Sequence, residues 1–237
     1  ATNMFNSVTL STSNYDSLLS GWGAQSPNII NDTVFSGGNS QYTIAGKVGR
    51  DVLEDDHNWT ITDGGLVWEC GTLIDTSGSY IITNDILNCP NDYIINITAS
   101  DVVLDCAGSL INGSGSYGVF VTGTDNVTVK NGVINLTDGS SQFGLSLASS
   151  TNSFAFNNTV EVGSDYACQL SSTNTVLFEN NTCVGNGGVY TTYLGGAIAT
   201  SFINNTLGCS STYALYMTTR WDINVIENKT LTRNFRI

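Results

Sequence analysis

The chain is poor in charge, and above all in positive charge. Of 237 residues only 7 are Lys or Arg, against 20 Asp or Glu, and the formal net charge is −13. With no basic stripe to neutralise phosphates, a nucleic-acid partner is not expected, nor is electrostatic adhesion to an anionic membrane. His57 is the single histidine and no G-x-S-x-G phrase occurs, so a Ser-His relay is hard to build. Lys, Glu, Leu and Ala, which clothe long helices, are scarce, and the bulk of the chain must be strands and turns. No apolar run approaches the roughly 20 residues of a membrane-spanning helix, so no membrane insertion is expected of this segment. No signal peptide is legible in the sequence, and the expectation is a fragment or processed product. Disorder does not follow from the low charge, because 41% of residues are hydrophobic and 10% aromatic.

Two features place the chain outside the cell. Ten asparagines begin N-x-S/T: Asn31, Asn58, Asn96, Asn112, Asn126, Asn135, Asn157, Asn180, Asn204 and Asn228. An Asn- and Thr-rich chain throws up some of these by accident, but ten point to heavy N-glycosylation. There are also six cysteines, Cys70, Cys89, Cys106, Cys168, Cys183 and Cys209, with no C-x-x-C pair among them. That pattern suits disulfides better than zinc. Covalent N-glycans are expected; no cofactor or metal is.

From about Ala99 to Asn228 one short phrase returns. It reads Val103-Leu104-Asp105-Cys106, Val127-Thr128-Val129-Lys130-Asn131, Phe154-Ala155-Phe156-Asn157-Asn158, Val176-Leu177-Phe178-Glu179-Asn180, Phe202-Ile203-Asn204-Asn205 and Val225-Ile226-Glu227-Asn228. Taking Leu104, Val129, Phe156, Phe178, Ile203 and Ile226 as markers gives intervals of 25, 27, 22, 25 and 23 residues. A repeat of that period is one supersecondary unit stacked on itself. A second phrase, an aromatic followed by a small residue, begins at Tyr117, Phe143, Tyr166 and Tyr213, with Gly195-Gly196-Ala197-Ile198-Ala199 filling the place between the last two. Apolar residues of each short strand would point inward, and equivalent positions would stack about 4.8 Å apart. The closing Asn131, Asn158, Asn180, Asn205 and Asn228 could turn inward at a corner. The residues before them, Asp105, Lys130, Asn157, Glu179, Asn204 and Glu227, would form an outward row. On this reading Asn180 and Asn228 are doubtful glycan sites, and Asn112, Asn126 and Asn135 are better ones.

Cys70 and Cys89 flank two short strands around a turn, taken as a cap, and are the first disulfide expected. Cys183 and Cys209 lie 26 residues apart, close to one rung, and could form a second. Cys106 and Cys168 are more than two rungs apart. They are then buried thiols or links between subunits, unless this pairing is wrong. The final Thr230-Leu231-Thr232-Arg233-Asn234-Phe235-Arg236-Ile237 could be an end strand that pairs with another copy.

Residues 1–65 read differently. Ser11-Thr12-Ser13-Asn14 offers a helix cap, followed by Tyr15, Leu18, Leu19 and Trp22 at helical spacing, and Gly21 and Gly23 end that helix. Thr33-Val34-Phe35 is a strand, Ile44 to His57 a second helix, and Asn58-Trp59-Thr60-Ile61-Thr62 another strand. The stretches Leu10–Gln25, Thr33–Thr43 and Val52–Gly65 together resemble the terminal module of BspA-like leucine-rich-repeat surface proteins, which implies a cell-surface protein and brings no catalytic residues. From Asn96 onward, the run to Leu136 is similar to right-handed parallel β-helix proteins of the NosD and pectate-lyase-like type. The expected fold is therefore mainly β: a right-handed parallel β-helix over 66–237, preceded by a small α+β module over 1–65.

β-helix enzymes that act on polyuronates use clustered carboxylates, calcium and basic residues. Before Asn228 this solenoid offers only Lys130 and Arg220. Asp55-Asp56 beside Glu54 reads as an exposed helical charge run, and His57 as the end of that helix. Asp105, Glu179 and Glu227 with Lys130 between them read as ladder pairing. Trp22, Trp59, Trp68 and Trp221 suit packing better than sugar stacking. The expectation is a non-catalytic structural subunit of an extracellular cell-surface assembly, a sheath, filament or S-layer-like coat of archaeal type, partnered by copies of itself. An adhesin or carbohydrate-binding module that engages surface glycans is the alternative, and a polysaccharide lyase or hydrolase comes third.

Overall fold

The computed structural model describes residues 4–5, 7–137, 142–187, 190–210, 213–218, 225–227, 230–231 and 234–236. Two compact units divide between Glu69 and Cys70. Among the described residues no helix is long and apolar enough to cross a membrane.

In the first unit, helix α1 (Thr12–Gly23) starts where the Ser11 hydroxyl accepts from the Asn14 amide. Helix α2 (Ile44–Asp51) begins at Thr43, whose hydroxyl accepts from the Ala45 amide, and runs on as a single π-turn, Val52–Asp56. The two helices cross so closely that a Cβ on Gly49 would lie 2.4 Å from the Leu19 carbonyl oxygen. Strands Val34–Ser36 and Thr60–Thr62 pair in parallel. Tyr15, Leu19, Phe35, Tyr42, Leu53 and Ile61 form the core. At its edge Arg50 bridges to Asp63 at 3.1 Å and to Glu54, and the Tyr15 hydroxyl donates to Asp63 at 2.9 Å.

The second unit is a right-handed β-solenoid of about seven turns. Each turn lays down one strand in each of three parallel sheets, always in the same order. The long strands come first: Thr72–Ile74, Tyr93–Ile97, Tyr117–Thr122, Phe143–Ala148, Tyr166–Ser171, Tyr190–Gly195, Tyr213–Thr218 and Asn234–Arg236. The short-strand sheet stacks Gly78–Ile81, Val102–Asp105, Thr128–Lys130, Phe154–Phe156, Leu177–Glu179, Ser201–Ile203 and Val225–Glu227. The third sheet stacks Ile86–Cys89, Leu110–Gly113, Val133–Leu136, Thr159–Val162, Thr182–Gly185, Thr206–Cys209 and Thr230–Leu231. Residues 70–89 are thus the first turn itself, not a separate cap. The backbone of Asn234–Arg236 pairs with Tyr213–Thr218 of its own chain.

Register corrects the repeat in two places. The inward column of the short-strand sheet is Leu104, Val129, Ala155, Phe178, Phe202. Ala155 is fully buried while Phe154 and Phe156 stand 38% and 36% exposed, so the bulky residues of that strand face water. Ile203 likewise sits in the outward row. The outward row is therefore Asp105, Lys130, Phe156, Glu179 and Ile203, with Phe156 and Ile203 where Asn157 and Asn204 were expected. The place between Tyr166 and Tyr213 is held by Tyr190–Gly195, and Gly196-Ala197-Ile198-Ala199 forms the following corner.

Two disulfides close within single turns. Cys70–Cys89 joins the two ends of the first turn, as expected from its flanking position, with Cα atoms 5.3 Å apart. Cys168 bonds Cys183 across the core of one turn, with Cα atoms 6.0 Å apart. The expected Cys183–Cys209 pair does not form, because Cys183 stacks on Leu207 and Cys209 on Gly185, two residues out of step. Cys106 and Cys209 remain as thiols, the first buried and the second half-buried.

Candidate functional site

A β-solenoid presents its chemistry on lateral faces, where outward residues of successive turns form columns. On the long-strand face the first outward column is Tyr93, Tyr117, Phe143, Tyr166, Tyr190 and Tyr213. From Tyr117 to Tyr213 ring centroids follow one another at 4.9, 5.4, 6.1 and 5.7 Å, with planes within 28° of parallel. A second column, Asn96, Phe120, Ser146, Gln169, Tyr193 and Tyr216, joins it through Tyr117–Phe120 at 4.4 Å, Tyr166–Tyr193 at 5.1 Å and Tyr190–Tyr216 at 4.1 Å. Burial, then the neighbouring Tyr193 and Asp165, push the Tyr166 hydroxyl up from its ordinary range. The chemistry of this face runs along the solenoid axis, from rung to rung.

On the short-strand face the polar centre is Asp105. One carboxylate oxygen lies 3.0 Å from Lys130 Nζ; the other accepts from Asn131 Nδ2 at 2.9 Å and from the Ala107 amide at 3.0 Å. The Asn131 bond, then the Ala107 amide and Lys130, hold the carboxyl below its ordinary range against a desolvation that opposes them. Lys130 Nζ also lies 5.9 Å from the Phe156 ring centroid. Beside this column is a groove of about 530 Å³ lined by Asp105, Ala107, Gly108, Asn131, Gly132, Val133, Asn157 and Thr159. Among the described residues that line it, Asp105 is the one acid.

The corner after the short strand carries the asparagines. Asn131, Asn157, Asn180 and Asn204 adopt left-handed backbone, with φ of 57°, 56°, 54° and 54°, a conformation that asparagine tolerates better than most residues. It is the next residue that turns in. Asn158, Asn181 and Asn205 are buried, and each donates its side-chain amide to a carbonyl of the preceding turn: Val129, Ala155 and Phe178, at 3.1, 2.8 and 2.8 Å. Asn181 Oδ1 accepts from the Asn158 backbone at 3.0 Å, and Asn205 Oδ1 from the Asn181 backbone at 2.8 Å. The inward column was expected to contain Asn131 and Asn180. Both belong to the outer column, and Asn180 is exposed.

This reorders the sequons. Asn126, Asn157, Asn180 and Asn204 are exposed at corners. Asn96, Asn112 and Asn135 are half-buried on strands; Asn112 donates to the Asn135 carbonyl at 3.1 Å, and the Oδ1 atoms of Asn96 and Asn135 are buried without a partner. Asn180, the site doubted on sequence, is thus more accessible than Asn112 and Asn135. Asn31 and Asn58 are exposed in the first unit, Asn31 contacting His57 Nδ1 at 2.7 Å and Asn58 donating to Asp32 at 2.6 Å. Asn228 lies outside the described residues.

The remaining candidates are structural in their contacts. His57 is buried, its Nε2 2.9 Å from the Ser26 hydroxyl, and does not stand free at a helix end. Glu54 pairs with Arg50, while Asp55 and Asp56 point to solvent. Among the described residues no three His, Cys, Asp or Glu side chains gather where they could hold a metal. Trp22 packs on Phe35 and Trp59, and Trp68 is buried; Trp221 and Arg220 lie outside the described residues. Burial pushes the Cys106 thiol up to about 12, with the Asp105 charge adding.

No curated protein and no solved structure matches the chain. The profile of the right-handed β-helix region matches residues 70–231, the stretch that builds the three stacked sheets. The chain belongs to the right-handed β-helix family.

Proposed function

We propose that this is a non-catalytic structural glycoprotein of the cell surface, a subunit of a sheath, filament or S-layer-like coat whose partners are other copies of itself. The observation that carries the reading is where the outward chemistry is spent. The aromatic columns stack on themselves, Asn157 donates to Asn131, and Asp105 is engaged by Asn131, Ala107 and Lys130. Such columns stiffen a solenoid along its axis and leave few groups directed at a small ligand. Two disulfides are compatible with an oxidising compartment outside the cell. Rung-on-rung pairing is also the contact by which a parallel solenoid extends, so axial association of copies needs no new chemistry. Electron cryo-microscopy of native surface material tests this. Ordered arrays of the chain are expected; isolated copies without repeating contacts would sink the reading.

A second reading, a carbohydrate-binding adhesin, draws on the half-exposed tyrosines of the long-strand face. A glycan array separates the two: an adhesin has a preferred ligand that Tyr193→Ala weakens, and a structural rod has none.

A further inference from the structure

We infer that Asn157, Asn180 and Asn204 form one N-glycan column in which neighbouring rungs exclude each other, so that either Asn180 alone or Asn157 together with Asn204 is filled. This rests on the glycoprotein reading above. Each of the three begins the same tripeptide, Asn-Asn-Thr, at the same corner of consecutive turns. On one side the strands that precede them are in register through Phe156, Glu179 and Ile203; on the other, the strands that follow are in register through Thr159, Thr182 and Thr206. The three backbones share φ of 54–56°. The residue after each is pinned inside by the Asn158–Asn181–Asn205 ladder. Their side chains therefore leave the solenoid in a line, one strand spacing of about 4.8 Å apart.

A pyranose with its hydroxyl substituents and hydration is wider than that spacing, and a branched oligosaccharide wider still. The outward side chains of the flanking strands on both sides of the corner limit how far two glycans could splay. At two spacings, ~10 Å, the constraint relaxes. Asn157 differs in one respect, since its Nδ2 donates to Asn131 Oδ1 at 2.7 Å. An N-linked amide keeps one N–H, so that bond survives attachment. Asn131 continues the column downward but is followed by Gly132-Val133 and takes no glycan.

The chain itself supplies the assay. No Lys or Arg lies between Lys130 and Arg220, so trypsin releases one peptide, 131–220, that carries Asn135, Asn157, Asn180 and Asn204 together. Its mass, from protein purified from the native source and reduced, counts glycans on single molecules, and fragmentation locates them. Adjacent pairs, Asn157 with Asn180 or Asn180 with Asn204, should be at least tenfold rarer than the product of their separate occupancies. Asn180→Asp, which tolerates the same backbone and ends the sequon, should raise occupancy at Asn157 and Asn204 at least twofold. Adjacent pairs at the frequency of independent filling would overturn this inference and leave the glycoprotein reading standing. Absence of glycan at all ten sequons would overturn both.

Discussion

In each Asn-Asn doublet one asparagine faces the core and the other faces water, and nothing within the pair distinguishes them. Only the count of residues to the next strand decides, and that count places Asn181 inside and Asn180 outside. The energetic consequence is large. Asn181→Ala leaves the buried Asn158 amide without its acceptor and removes the side-chain bond to the Ala155 carbonyl, and should cost about 1–3 kcal/mol, read as a lowered urea midpoint. Asn180→Asp should stay within about 0.5 kcal/mol of the parent. Equal effects would mean that the doublet has been placed in the wrong register. Left-handed corners select asparagine, and that preference accounts for the asparagine of four of the ten sequons, Asn126, Asn157, Asn180 and Asn204, independently of any glycan. Thiol and carboxyl reactivity belong to this scale as well. With its thiol pushed up to about 12 and buried, Cys106 should resist alkylation in the native protein at pH 8 while Cys209 reacts, and both should react in denaturant. The folded Asp105 carboxyl sits below its unfolded value. Its contribution is therefore present above the unfolded pKa and is lost as pH falls through the folded one. Asp105→Asn should flatten the acid limb of a stability–pH profile below the ordinary carboxylate range.

At the scale of the strand, the sequence announces the repeat but not its phase. Phe154-Ala155-Phe156 offers apolar residues to both faces, and size suggests the wrong ones; the core of that turn takes the alanine because neighbouring turns already fill it with Val129 and Phe178. Tyr190–Gly195 is hard to recognise from sequence because Thr191 stands where its counterparts carry the small residues Gly118, Gly144, Ala167 and Ala214. That position is narrow for a reason particular to each turn. A Cβ on Gly144 would lie 2.2 Å from Val160 Cγ1 and 2.8 Å from the Ala167 carbonyl oxygen, so Gly144→Ala should cost about 1–3 kcal/mol by overpacking. Cysteine spacing misled in a similar way. The 26 residues between Cys183 and Cys209 resemble one turn, but this turn is 24 residues long, from Cys183 to Leu207, and the inward neighbour across the core is Cys168. A bond spanning 15 residues is worth about 3 kcal/mol, so Cys168→Ala with Cys183→Ala should lower the unfolding midpoint accordingly, while Cys209→Ala should leave it nearly unchanged.

Whole-molecule electrostatics bears on the proposed assembly most directly. At net charge −13 two copies repel, and the seven basic residues are too few to form a complementary patch. Lys130 and Arg50, moreover, are already held by acids of their own chain. Contacts between copies must therefore rest on backbone pairing and apolar surface, with charge opposing them. That fixes the sign of the salt effect. The Debye length falls from about 30 Å at 0.01 M salt to about 8 Å at 0.15 M, so screening removes most of the repulsion across an interface before it touches apolar contacts. Self-association, followed by sedimentation velocity at fixed protein concentration, should rise steeply between these two salt concentrations and should rise again as pH is lowered toward the isoelectric value of about 4.1. Association that weakens with added salt would require an attractive ion-pair interface between copies and would remove the physical basis for the proposed assembly.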